Sequence, residues 1–250
     1  MNAPTKRARR KVVPIHTPKL PPTHPFDRVH HTDTGGLIER TQLITGHAND
    51  AHVTAYYGIA PSILDAVIDL WQGTRPKYPI DRYTFVDIGA GKGRAVMTAS
   101  LHPFFEAVGI ELNPTLASIA RTNLQTFPNY ANPLAPTRLI EGDALAANLP
   151  LTPTLAFMFH PFEAPVLRKL IGKIQAHYSV LDLPFDLIYV NAEHASVLDQ
   201  NTWFKRLFHG LVPMSSVDHL ADLAEIAEQT EYGSTGDEIC GIYRFTGPTT

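Results

Sequence analysis

A chain of 250 residues can build one large domain or two small ones and is long enough to bury a sizeable core. Hydrophobic residues make up 44% of it and charged residues 18%, which excludes a fibrous or wholly disordered protein. The formal net charge of −3 hides an asymmetry: residues 1–24 hold Lys6, Arg7, Arg9, Arg10, Lys11 and Lys19 and no acid. The remaining 15 bases face 24 acids, so the rest of the chain is near −9.

A basic tail on an acidic body is not the profile of a domain that grips nucleic acid over a broad face. The tail itself stays open as a contact for RNA or an acidic protein. No apolar run reaches the ~18 residues of a membrane helix. The basic N-terminus lacks the apolar stretch of a secretory signal. A single cysteine, Cys240, excludes an internal disulfide framework and fits a reducing, cytoplasmic setting. It reads as a small buried residue.

In chain order, Pro14, Pro18, Pro21, Pro22 and Pro25 mark residues 1–25 as a disordered basic tail. Residues 26–80 are expected to form a helical lead-in or cap, and residues 81–250 the main domain. Within the lead-in, Thr34-Gly35-Gly36 and Thr45-Gly46 read as turns, with short elements at Leu37-Ile38 and Leu43-Ile44. Pro61-Ser62 opens a helix with Ser62 as its predicted cap. Ile63, Leu64, Val67, Ile68 and Trp71 form its apolar stripe, and Gly73 and Pro76 end it.

From residue 83 strands and helices alternate. Strands are predicted at 83–87, 107–111, 138–141, 155–159 and 187–190. Helices are predicted through Ser100, after Asn113-Pro114 and over roughly 164–177. The stretch from about Ala224 to Phe245 reads as two strands around Gly233-Ser234-Thr235-Gly236. The expected fold class is α/β: a doubly wound, mostly parallel sheet with helices on both faces and a C-terminal antiparallel hairpin.

The segment Phe85-Val86-Asp87-Ile88-Gly89-Ala90-Gly91-Lys92-Gly93-Arg94 joins a buried strand to a helix through glycines. It lacks the Gly-Lys-Ser/Thr of a triphosphate-binding loop. It also has Arg94 where a dinucleotide loop needs its third glycine. Asp87, two residues before Gly89, is unwelcome beside a pyrophosphate. It suits a ligand without phosphate that carries positive charge, such as the sulfonium and ammonium of S-adenosylmethionine. Glu111 ends the second strand, where an acid can accept from ribose hydroxyls. Asp143 ends the third, where an acid can accept from an adenine amino group. Each acid alone could be a helix cap or a surface charge; three on one rim of a sheet are harder to dismiss.

Val86-Asp87-Ile88-Gly89-Ala90-Gly91-Lys92-Gly93, Gly109-Ile110-Glu111-Leu112-Asn113-Pro114 and Glu141-Gly142-Asp143-Ala144 together resemble the class I, Rossmann-like S-adenosylmethionine-dependent methyltransferases. The likeness covers roughly residues 26–200 and is greatest to small bacterial enzymes distantly similar to the telomeric-silencing histone lysine methyltransferases. It implies S-adenosylmethionine as cofactor, held by Asp87, Ile88, Gly89, Ala90, Gly91, Gly93, Glu111, Leu112, Asp143 and Ala144. Tyr57, beside Tyr56 and ahead of Pro61, matches the tyrosine of the family's lead-in helix, with a packing aromatic as the alternative.

The resemblance also implies that the methyl acceptor meets the end of the fourth strand, at His160-Pro161-Phe162. There many amine and amide methyltransferases carry Asn or Asp, Pro, Pro, then Tyr or Phe, and relatives of the small bacterial family look more like Asn-Pro-Phe. His160 departs from that pattern, since a neutral imidazole offers one acceptor. It could act as a base or hydrogen-bond a neighbouring loop. Phe162 would wall the acceptor pocket, and Asn191 is a weaker candidate. No metal-ligand spacing and no Gly-x-Ser-x-Gly elbow is present. The leading expectation is methyl transfer to nitrogen on a protein (a lysine among the options) or a small molecule. The alternatives are a catalytically silent cofactor-binding module and an RNA methyltransferase anchored by the tail.

Overall fold

The computed structural model describes residues 24–227 and 234–248. Residues 1–23 and the Gly233 part of the expected C-terminal turn lie outside the described residues.

Seven strands form one sheet in the order β3-β2-β1-β4-β5-β7-β6. The strands β1 (Thr84–Ile88), β2 (Glu106–Glu111), β3 (Thr137–Glu141), β4 (Thr154–Phe159) and β5 (Phe185–Val190) are parallel, and β7 (Asp237–Phe245) runs antiparallel between β5 and β6 (Phe204–Pro213). Strand alternation feeds two apolar layers. Phe85, Phe157 and Ile188 point to the face covered by α2 (Pro61–Gly73) and α3 (Arg94–Ser100). Val86, Ile88, Met158 and Leu187 point to the face covered by α5 (Ala164–Tyr178) and α6 (Ala195–Asp199). The remaining helices are α1 (Pro25–His30), α4 (Pro114–Thr126) and α7 (Ser216–Glu225). The α/β doubly wound architecture expected from the alternation is the one observed.

Three local expectations need correction. Ser62 is not the cap of α2: Ala60 holds that position and Pro61 is the first helical residue. The Ser62 amide instead donates to Asp218 Oδ2 at 2.9 Å, and its hydroxyl accepts from the Ser215 amide at 2.9 Å. The antiparallel pair at the C-terminus exists, but its first strand is β6, ending at Pro213, not a strand beginning near Ala224. Residues 216–225 are helical because Ser215 accepts from the Asp218 amide and caps them. Lastly, α1 was not anticipated; Pro25 starts it and Phe26 buries against Phe127.

Residues 31–60 have little regular structure and lie across the carboxyl ends of the strands. Side chains fold them. Asp27 accepts from the hydroxyls of Thr32 and Thr34 and from the amides of Thr34 and Gly35. Asp50 gathers the amides of Thr45, Gly46 and His47. Isolated bridges then tie Ile38 to Tyr56 and Val53 to Phe162, the second one reaching the loop after β4.

Candidate functional site

Ligands on parallel sheets bind beyond the carboxyl ends of the strands, and two adjoining cavities lie there. The loop after β1 is held by the amides of Gly89 and Ala90, which donate to Ile110 O at 2.9 and 3.0 Å. Gly89 and Gly91 both have positive φ, 84° and 54°. A side chain on Gly91 would collide with the Tyr56 ring, and one on Gly89 with Pro161. The loop is therefore narrow between the lead-in and the segment after β4.

Glu111 closes the loop from the other side. Its Oε2 accepts from the Gly91 amide at 2.7 Å and its Oε1 from the Asn113 amide at 2.7 Å. Burial raises its carboxyl above the usual range, and these N–H bonds oppose that rise. Each oxygen keeps a further lone pair.

Asp87 is 3% exposed, and no hydrogen bond or ion pair to its side chain occurs among the described residues. Burial, together with the negative charge of Glu111, pushes its carboxyl up to about 8. The cations of the same loop do not relieve it. Lys92 Nζ donates to Asp33 Oδ1 and Gly35 O, both at 2.8 Å. Arg94 is 1% exposed and donates to Thr34 Oγ1 at 2.7 Å and Gly58 O at 3.0 Å. Both side chains pin the lead-in to the loop. The rim they leave behind is acidic.

The cavity above this rim is lined by Asp87, Ile88, Gly89, Ala90, Gly91, Glu111, Leu112, Asp143, Ala144 and Tyr57, together with Pro161 and Phe162. Two expected residues stand elsewhere. Gly93 does not line it: it precedes α3 and lies against Ala120. Phe162 walls this cavity rather than the neighbouring one. Residues that the sequence did not single out complete the walls. Tyr56 covers Gly91 and donates its hydroxyl to Thr34 O at 2.6 Å. Asn49 Nδ2 donates to Asp143 Oδ2 at 3.2 Å, leaving Oδ1 on the Leu145 amide. The Tyr56-Tyr57 pair was the one visible signal for this wall.

A second cavity, of about 900 Å³, adjoins the first; Val53, Thr54, Ala55, Tyr57 and Phe159 line both. His160 belongs here. It takes φ 40° at the end of β4, as Asn191 takes φ 49° at the end of β5. Its Nδ1 lies 2.9 Å from the Tyr189 hydroxyl and its Nε2 3.5 Å from Glu193 Oε2. The arrangement suits a Tyr189 O–H donating to Nδ1, with Nε2–H facing Glu193 at ion-pair distance. Burial lowers the imidazole pKa, so it is neutral near pH 7. The Thr54 hydroxyl donates to His160 O at 2.6 Å. Asn191 and Glu193 share the same wall.

No family model and no curated protein matches the sequence. Among solved structures, an RNA methyltransferase from Salinibacter ruber in complex with S-adenosyl-L-homocysteine is 19% identical. The alignment covers 75% of this chain and 92% of that one, with a TM-score of 0.44. Magnesium protoporphyrin IX methyltransferase from Synechocystis with bound S-adenosylmethionine is 12% identical over 74% and 79%, with a TM-score of 0.47. Precorrin-6y C5,15-methyltransferase from Geobacter metallireducens is 17% identical over 71% and 87%, with a TM-score of 0.44.

Proposed function

We propose that this chain is an S-adenosylmethionine-dependent methyltransferase acting on a nitrogen acceptor, with the cofactor in the first cavity and the acceptor in the second. The observation that carries the reading is Asp87, a buried carboxylate with no partner, on a rim whose own cations are engaged elsewhere. Such a group calls for a cationic ligand. A pyrophosphate beside Asp87 and Glu111 would meet two carboxylates, while Lys92 and Arg94 are held by the lead-in. The α-ammonium of S-adenosylmethionine meets them with opposite charge.

Bound there, the cofactor supplies a methyl group activated by a sulfonium. The chain's part is to hold and exclude. Asp87 would receive the ammonium, the glycines would admit the ligand close to the backbone, and Tyr56 and Tyr57 would cover it. The free lone pairs of Glu111 would accept from the ribose hydroxyls, and Asp143 would serve the adenine end. Alignment of donor and acceptor in a site closed to water carries the rest of the rate.

Calorimetric titration with S-adenosylhomocysteine tests this. We expect one site per chain and no competition from NADH. A folded protein that binds no S-adenosylhomocysteine overturns it. One observation favours a silent binding module as the second reading: Thr54 already occupies the His160 carbonyl at the mouth of the acceptor cavity. Tight cofactor binding without methyl transfer to any component of a cell extract would establish that reading instead.

A further inference from the structure

The second cavity is acidic beyond what its own cations can answer. Glu163, Glu193, Asp222, Asp237 and Glu238 line it, against one guanidinium, Arg40. Two of these carboxylates are already matched. Glu163 pairs with His52 at 2.9 Å and with Arg40 at 3.6 Å, and Glu193 faces His160.

Asp222 is different, and α7 shows why. Its acids at helical spacing, Asp218, Asp222 and Glu225, all turn inward, while Val217, Leu220 and Leu223 are left exposed. Asp218 receives the amide at the start of α2. Glu225 faces buried Arg94 at 3.9 Å. Between them Asp222 lines the cavity, 3% exposed, and its Oδ1 has no hydrogen-bond partner among the described residues. Its Oδ2 has the Ser234 hydroxyl at 3.5 Å, and the charge of buried Arg94 reaches the carboxyl without forming an ion pair with it. Tyr57, at the junction with the first cavity, brings its hydroxyl against Asp222, near enough to interact with the carboxyl but short of a well-formed hydrogen bond, and it has no other partner among the described residues. Glu238 lies on the same wall and feels Asp222 as a second negative charge. Two adjoining carboxylates and an unpaired hydroxyl form a site for a compact cation with several N–H donors.

We infer that Asp222 and Glu238, with the Tyr57 hydroxyl, bind the alkylammonium group of a primary-amine acceptor in the second cavity. This rests on the cofactor reading above and names the acceptor class for it. A cavity of about 900 Å³ admits a small molecule or a single extended side chain. The acceptor arrives as an ammonium and must lose a proton before its nitrogen can attack. An N–H bond breaks, its electron pair stays on nitrogen, and the proton passes to the Glu238 carboxylate. Burial and the Asp222 charge hold that carboxyl up to about 7, well suited to the exchange. The neutral nitrogen then forms its bond to the methyl carbon as the carbon–sulfur bond breaks, leaving the pair on sulfur.

The test uses the full chain saturated with S-adenosylhomocysteine, titrated with cadaverine and, separately, with Nα-acetyl-lysine amide. We expect at least one of them to bind, and 1,5-pentanediol not to; which one binds separates a free diamine from a lysine side chain. Asp222→Asn and Glu238→Gln, each isosteric, should weaken that binding at least tenfold while leaving S-adenosylhomocysteine affinity within twofold. A complex that binds S-adenosylhomocysteine but neither amine overturns the inference and spares the cofactor reading. So do variants that bind the amine within twofold of the native chain. Failure to bind S-adenosylhomocysteine at all overturns both and is read in the first titration.

Discussion

Two carboxylates, one at each end of the same parallel sheet, are buried to nearly the same degree and treated in opposite ways. Asp186, near the start of β5, is 0% exposed. Its oxygens accept from Trp71 Nε1 at 2.8 Å, from Arg244 Nε at 2.8 Å and from Arg244 Nη2 at 3.2 Å. Asp87, near the finish of β1, is 3% exposed and has none of this. A buried charge that is paired and hydrogen-bonded is part of the scaffold. A buried charge left open costs stability and persists where a ligand completes it. At Asp186 the amino end of the sheet is finished by the chain alone; at Asp87 the carboxyl end is not.

The largest expected effect lies at the finished end. Asp186→Ala leaves the Trp71 indole N–H without its acceptor and Arg244 with only Thr74 Oγ1 at 3.1 Å, and should cost roughly 3–5 kcal/mol. Urea unfolding with an unchanged slope measures it. A loss below about 1 kcal/mol would mean that Arg244 and Trp71 find new partners, and the contrast with Asp87 would weaken.

Asp87→Asn should move two quantities in opposite directions. S-adenosylhomocysteine binding should fall about 100-fold, or about 2.7 kcal/mol, from loss of the charged partner of its ammonium. The ligand-free protein should become more stable. The native carboxyl sits at about 8 when folded and near its ordinary value when unfolded. Its favourable contribution is therefore present in full at low pH and is lost as pH rises through about 8. Asparagine has no such loss, so the variant's advantage in melting temperature should grow up to about pH 8 and then level off. Ligand binding to the native chain should strengthen across the same window, because the ligand meets the ionised form. A variant that loses both binding and stability would make Asp87 a second Asp186.

The same contrast explains what could be read from the sequence. Strands β1, β2, β4 and β5 are buried on both faces, so they appear as short apolar runs, and Asn113-Pro114 announces α4. Asp87, Glu111 and Asp143 were legible because strand ends are. The α7 helix was not: its buried side is acidic and its exposed side apolar, the reverse of the pattern that reveals a surface helix. That inversion also hid Asp222. Residues 31–60 have no period to detect, since Asp27 and Asp50 fold them by collecting amides and hydroxyls. Tyr56 and Asn49 reach the cavity only through that folding.

His160 supplies the smallest expected effect and the sharpest limit on the comparison. Unlike Asp87, its imidazole has partners on both sides, Tyr189 and Glu193, and it lines the acceptor cavity alone. A group so engaged positions its neighbours and does not wait for a ligand. Its backbone also matters, because φ 40° is tolerated best by asparagine among non-glycine residues. His160→Ala should leave S-adenosylhomocysteine affinity within twofold and lower turnover on the amine that binds by less than tenfold, or about 1.4 kcal/mol. His160→Asn, which keeps a polar group and suits the left-handed backbone, should recover most of that loss. Steady-state kinetics of the two variants beside the native chain decide it. A drop of 100-fold or more in both, with cofactor affinity intact, would mean that the imidazole takes the acceptor's proton itself, and the charge that Glu238 carries would then serve binding alone.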